Sequence, residues 1–291
     1  MLWLILSILS STGIYVVFKF VDKAKLNLLN IIIINYLIAA ASGFMLAGRF
    51  PVNEIISADW LFVGIVLGIL LIVLFFMVGM SSAKAGISIT TVSCKMAVVI
   101  PMVFSIIVFS ENAGAIKILS IFLALAAVIM SVYKKNTTEV KFNMLSMILP
   151  LTLFLGMGME NSLLIFSKEK YINADTSSVY TATLFSIALL SGLLVLTVRY
   201  KMIMIFKNPK IWLAGTMLGL ANFGSIYFVL RALNSGVFAN SVVYGITNIG
   251  IVTLSVLIGT MFFKEKLSKL NVCGVFISIL TIVLLTYADA V

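Results

Sequence analysis

Apolar runs about 20 residues long recur ten times along this chain, and few folds accept that pattern. A helix needs about 20 mainly apolar residues to cross a bilayer. The runs cover 2–21, 28–48, 60–80, 87–110, 115–133, 144–166, 176–198, 211–230, 237–263 and 270–288. They are continuous rather than alternating, which favours helices over the strands of a membrane barrel. Only 10% of the residues are charged, against about a quarter in a soluble domain. That is too little polar surface to coat a soluble protein, so the chain reads as an all-α polytopic membrane protein. Its N-terminal run has no basic segment ahead of it and is too long for a signal peptide, so it reads as a first span.

The same composition removes whole classes of chemistry. There is no histidine, hence no Ser–His–Asp triad, no His-ligated zinc or haem and no imidazole base. No GxxxxGK[ST] loop is present to cradle ATP. Cys94 and Cys273 sit inside apolar runs without metal-ligand spacing. No cofactor and no metal are expected. The net charge of +10 would suit a nucleic-acid binder, but the polar surface is too small for one. The connecting loops are short and carry no catalytic motif, so an enzyme is not expected. Nothing resembles a channel filter either.

The two halves look related. Asp59-Trp-Leu-Phe-Val-Gly64-Ile-Val-Leu-Gly68 opens the third run, and Lys210-Ile-Trp-Leu-Ala-Gly215-Thr-Met-Leu-Gly219 opens the eighth. Both put a Trp at the entry and a Gly-xxx-Gly just inside, a spacing that lets helices approach closely. Glu111 precedes Tyr133 by 22 residues, and Glu265 precedes Tyr287 by 22. The chain therefore divides into repeats at 1–133 and 144–291, with a polar linker at 134–143. Five spans per repeat is odd, so the second repeat enters the membrane the opposite way round. Inverted repeats are the plan of secondary transporters, with a site near the midplane.

The ten-span, five-plus-five layout resembles the drug/metabolite transporter superfamily, and within it the EamA-type ten-helix transporters. The features that carry the resemblance are the glycine-rich third and eighth runs, Lys95-Met-Ala-Val-Val-Ile-Pro101 followed by Glu111, and Phe263-Lys-Glu265 before the tenth run. The likeness spans the whole chain. One departure is that no proline in the ninth run stands opposite Pro101.

Charge sets the expected orientation. Loops after the odd-numbered runs hold 14 basic residues and three acids; the other loops and the termini hold five and six. An excess of Lys and Arg marks the cytoplasmic side, which places both termini outside. Two charges fit neither loops nor helix ends. Lys95 lies roughly 12 Å into the fourth run and Glu160 roughly 9 Å from the end of the sixth, at 1.5 Å per residue. A charge at such depth costs about 2.5–3.5 kcal/mol on insertion scales and marks a functional site by default. Pro101 is expected to kink the fourth helix and free the carbonyl of Ala97 beside Lys95. Either the two charges form a salt bridge that ligand breaks, or they are separate poles of one cavity.

Lys95 is the candidate for meeting an anionic substrate group, and Thr91 shares its helix face. Intramembrane carboxylates serve proton relays, which makes Glu160, beside Asn161, the candidate for coupling. The resemblance adds that small multidrug-resistance relatives carry an essential Glu in the first helix of their unit, and the sixth run is the first of its repeat. Other polar positions read as cavity lining: Asn35 and Tyr36 in the second run, Asn222 in the eighth, and Asn240, Tyr244 and Asn248 in the ninth. The expected function is a secondary transporter for small polar or amphipathic metabolites such as amino acids, working by alternating access with protons as the candidate coupling ion. Export is what the resemblance implies. A flippase for a lipid-linked intermediate is the alternative that similar folds include. The partners are then a small-molecule substrate and the lipid bilayer of an inner or plasma membrane, the chain acting as monomer or homodimer.

Overall fold

The computed structural model describes residues 1–108, 114–133, 144–171, 177–198, 208–235, 237 and 240–288, with backbone alone at 105, 168–169, 177–178, 198, 230, 233–234, 240–242 and 288. The linker 134–143, Glu111 and the side chain of Asn240 lie outside the described residues. The helices are α1 (Leu2–Lys23), α2 (Leu28–Ala47), α3 (Val52–Ile56), α4 (Leu61–Lys84), α5 (Ile87–Met96), α6 (Val99–Val108), α7 (Ala115–Val132), α8 (Leu145–Tyr171), α9 (Ser177–Val198), α10 (Pro209–Asn234), α11 (Asn240–Met261) and α12 (Lys269–Ala288). Ten helical segments are long and apolar enough to cross a membrane, α5 and α6 together making one of them. The protein is a multi-pass helical membrane protein.

The fourth span departs from the continuous helix expected over 87–110. Around Ala97 and Val98 the backbone tightens to three-residue spacing: Val98 N–H reaches the Lys95 carbonyl (3.5 Å) and Ile100 N–H the Ala97 carbonyl (3.1 Å). Pro101 has no N–H to offer Ala97. The carbonyl expected to be free is thus taken by Ile100. The third span runs four residues past its expected end at residue 80, to Lys84. Its last carbonyls have a partner, because the Lys19 ammonium donates to Ser82 O (2.9 Å) and Ala83 O (3.2 Å).

In lipid, helices do not sort by hydrophobicity, so close packing decides which ones pair. A Cβ at Gly68 would lie 2.6 Å from Ile187 Cβ and 3.0 Å from the Leu184 carbonyl, which seats α4 on α9. Gly215 and Gly219 seat α10 on α2, where a Cβ would come within 2.6 Å of Ile34 Cβ and 2.7 Å of Ile38 Cβ. At Gly274 it would meet the Ser131 nitrogen at 2.7 Å, so α12 lies against α7.

Two apolar clusters result. One gathers α1, α2, α4, α9 and α10 around Phe18, Tyr36, Ile72, Phe185 and Leu218. The other gathers α5, α7, α11 and α12 around Val92, Val128, Val252 and Val275. Helix α8 gives Leu153 to the first cluster and Phe154 to the second and packs on α4, α5 and α6, while α1 belongs to the first cluster and also packs on α11. Each cluster takes helices from both 1–133 and 144–291, so the two stretches of sequence interleave in space.

Candidate functional site

Lys95 stands in the last turn of α5, where the fourth span breaks. Its side chain is only partly buried, and among the described residues it makes no hydrogen bond and no ion pair. Beside it, the Tyr15 hydroxyl on α1 meets the Cys94 sulfur. Glu160 is 7% exposed on α8. The glycines that flank it have structural work: Gly156 packs on Leu74 of α4 and Gly158 on Ile100 of α6. Glu160 lies within electrostatic reach of Tyr36 and Cys94. No ion pair joins it to Lys95 among the described residues, and Asn161 next to it is partly exposed.

The other predicted positions fall into two groups. Asn35, Tyr36, Thr91 and Asn222 are inside helix contacts. The amides of Asn35 and Asn222 meet at 3.3 Å between α2 and α10. The Tyr36 hydroxyl donates to the Leu71 carbonyl of α4 (2.9 Å), with its ring against Phe75 and Phe185. Thr91 spends its hydroxyl on the Ile87 carbonyl of its own helix (2.9 Å). Tyr244 and Asn248 belong to a graded face of α11. Tyr244 is 50% exposed, Asn248 is partly exposed, and one and two turns further on Ile251 and Ser255 are at 1% and 0%.

The fourth span has a matching gradient, from fully buried Ser88 and Thr91 of α5, through partly exposed Lys95 and Val98, to partly exposed Met102 of α6. α5 packs on α11, whereas α6 leans on α8 and, among the described residues, has no comparable packing with α11. The fourth and ninth spans therefore form a wedge. The two spans pack together at the face carrying Lys19 and Lys84 and part toward the face poorer in Lys and Arg, with Lys95 in the last turn of the packed stretch.

The closed end is built by a residue that sequence reasoning placed in a loop. Glu265, just after α11, accepts from the backbone N–H groups of Ile87 (2.6 Å) and Ser88 (3.2 Å) and from the Ser88 hydroxyl (2.9 Å). It thus caps the N-terminus of α5, where free N–H groups and the helix dipole both favour an anion. Lys19 stands 3.8 Å from the same carboxylate, and the two side chains are 13% and 10% exposed. On the same face Asn271 of α12 donates to the Met130, Ser131 and Tyr133 carbonyls at the end of α7 (2.7–3.1 Å).

No protein-family profile matches the chain. An uncharacterized protein of Haemophilus influenzae is 26% identical over 294 residues, covering 99% of this chain and 98% of its own. The match runs the length of both chains and brings no activity with it.

A cavity of about 860 Å³ lies elsewhere, between α2, α4, α9 and α10, with Leu28, Ile72, Phe76, Val195 and Ile211 on its walls and Lys25 at one end. None of the predicted site residues lines it. Ile69, Val73 and Val195 on its walls are 47–49% exposed, so it is a mainly apolar groove on the outer flank.

Proposed function

We propose that the protein is a secondary carrier for small polar or zwitterionic metabolites, amino acids among them, working by alternating access. The observation that supports this reading is that the fourth and ninth spans pack at one face and part as a wedge toward the other, with Lys95, which has no hydrogen-bond or ion-pair partner among the described residues, at the end of the packed stretch. Lys95 meets the carboxylate or other anionic group of the substrate. Glu160, in its apolar setting on α8, binds the coupling proton or the substrate's ammonium. The two charges act as separate poles, consistent with the absence of an ion pair between them among the described residues.

The packing also supports reading the halves as an inverted repeat. Exchanging the first five spans with the last five turns the α4–α9 contact into the α10–α2 contact, and it maps α7–α12 and α5–α11 onto themselves. Under that reading the two apolar clusters, rather than the two stretches of sequence, are the bodies that rock, with α8 and the packing of α1 on α11 as the interfaces. This arrangement and the quoted motifs support the resemblance to the EamA-type transporters.

The test is transport in proteoliposomes. Candidate amino acids are screened for pH-gradient-driven uptake, followed by Lys95→Met and Glu160→Gln. Lys95→Met is expected to weaken uptake of carboxylate-bearing substrates, and Glu160→Gln to abolish its dependence on the pH gradient. Undiminished proton-coupled uptake by Glu160→Gln sinks the coupling role. The flippase reading draws on the apolar groove beside Lys25, and turnover of lipid-linked sugars instead of amino acids would select it.

A further inference from the structure

Four elements meet at the closed face: the ends of α1, α4 and α11 and the start of α5. Two charged side chains bridge them, beside the Ser81–Thr90 hydroxyl contact between α4 and α5 (2.8 Å) and the packing of Phe20 and Lys23 of α1 on Phe263. The Glu265 carboxylate draws the end of α11 onto the start of α5. The Lys19 ammonium, from α1, spans the Ser82 and Ala83 carbonyls at the end of α4 and that same carboxylate. The chain around them is shaped for the purpose. Gly86 sits at φ +106, where other residues are strained, and a Cβ there would lie 2.8 Å from Glu265 Oε1. At Gly259 a Cβ would lie 2.5 Å from Glu265 Oε2. Two glycines, one from each half of the sequence, thus leave room for one carboxylate. Charge-assisted hydrogen bonds such as these are about twice as strong as neutral ones, and here they are shielded from solvent.

We propose that Glu265 and Lys19 form the lock that holds the wedge shut at the basic face, and that it must release before the Lys95 site is reached from that side. In each protein molecule the lock either holds, leaving Lys95 open to the charge-poor face, or parts, letting α11 and α5 separate at the basic end. The part that needs release rests on the carrier reading; the locking itself does not. Glu265 is a positioning residue that touches no substrate.

The experiment uses sided labelling and needs no substrate. In a background with Cys94 and Cys273 replaced by alanine, single cysteines are placed at Thr91 (in the packed stretch, fully buried) and Asn248 (within the wedge). A membrane-impermeant maleimide is applied to right-side-out and inside-out vesicles. With the lock intact, Asn248→Cys labels from the charge-poor face and Thr91→Cys from neither. Adding Glu265→Ala is expected to raise labelling of Thr91→Cys from the basic face roughly tenfold or more, and to lower labelling of Asn248→Cys from the opposite face, as a shifted two-state population requires. Lys19→Met keeps the cap on α5 and removes only the bridge to α4, so it tests the lock where Glu265→Ala does not fold; it is expected to act in the same direction, less strongly. A frayed helix end would expose Thr91 without protecting Asn248, and that result overturns the lock. So does unchanged labelling in both variants, which leaves the carrier reading to its own test of uptake. Labelling of Asn248→Cys from both faces at equal rates in the unaltered background overturns both.

Discussion

At the scale of single residues, glycine and asparagine do most of the fitting in this protein. A Cβ added to Gly274 would meet backbone on α7, the Ser131 nitrogen at 2.7 Å and the Ala127 carbonyl at 2.9 Å. Backbone cannot step aside as a flexible side chain can. Gly274→Ala should therefore destabilise the fold by about 1–3 kcal/mol, the usual cost of overpacking. Gly114→Ala, where among the described residues no packed neighbour lies within 4 Å of the new Cβ, is the control and should lower the melting midpoint in detergent much less, by no more than the cost of Ala at a helix N-cap. Equal midpoints for the two variants would contradict the close seating of α12 on α7. Some of these roles are legible in the sequence and some are not. The Gly-xxx-Gly pairs announce close contact, and both do make it. Asn35 and Asn222 announce only polarity: nothing local tells a cavity-lining amide from one spent on another amide 187 positions away. Glu265 is harder still, since its partners Ile87 and Ser88 lie 178 and 177 positions back.

At the scale of elements, the ten spans are readable because apolar length is a property of one stretch of chain. Their ends are less so. α4 continues through Ser81, Ser82 and Lys84 because Lys19 serves its last carbonyls, a contact that hydropathy does not encode. Pro101 signals that the fourth span is irregular, yet the break falls three and four residues before it, in a turn that closes on Ala97. The meeting of α5 and α11 yields a direct prediction. A Cβ at Gly259 would lie 2.7 Å from Ser88 Oγ, close enough for cysteines at both positions to form a disulfide. Ser88→Cys with Gly259→Cys should cross-link under mild oxidation and arrest transport; reductant frees the ends but leaves the lock weakened, because the new Cβ at 259 crowds Glu265 Oε2 and the Ser88 hydroxyl is gone. Normal transport by the fully cross-linked protein would mean that these ends never separate.

At the scale of the whole molecule, charge and packing tell the same face apart from its opposite. The face that carries most of the Lys and Arg is the one where the wedge is shut. If the positive-inside rule holds, alkaline phosphatase fused after Val291 will be active and a fluorescent protein at the same place dark; the reverse pattern places the closed end outside. The interleaving of the clusters was not visible in the sequence, because a repeat shows which stretches are alike and not which of them touch.

The seat of α12 on α7 has a consequence for how the chain is made. α7 leaves the ribosome more than a hundred residues before the helix that covers it, and three carbonyls at its C-terminal end wait for Asn271. Until the last span is synthesised, the fifth must stand in the bilayer with its small-residue face uncovered and its final turn unserved. The cell's insertion and quality-control machinery therefore meets this protein for most of its synthesis as an open half-assembly, and only the final helix closes it.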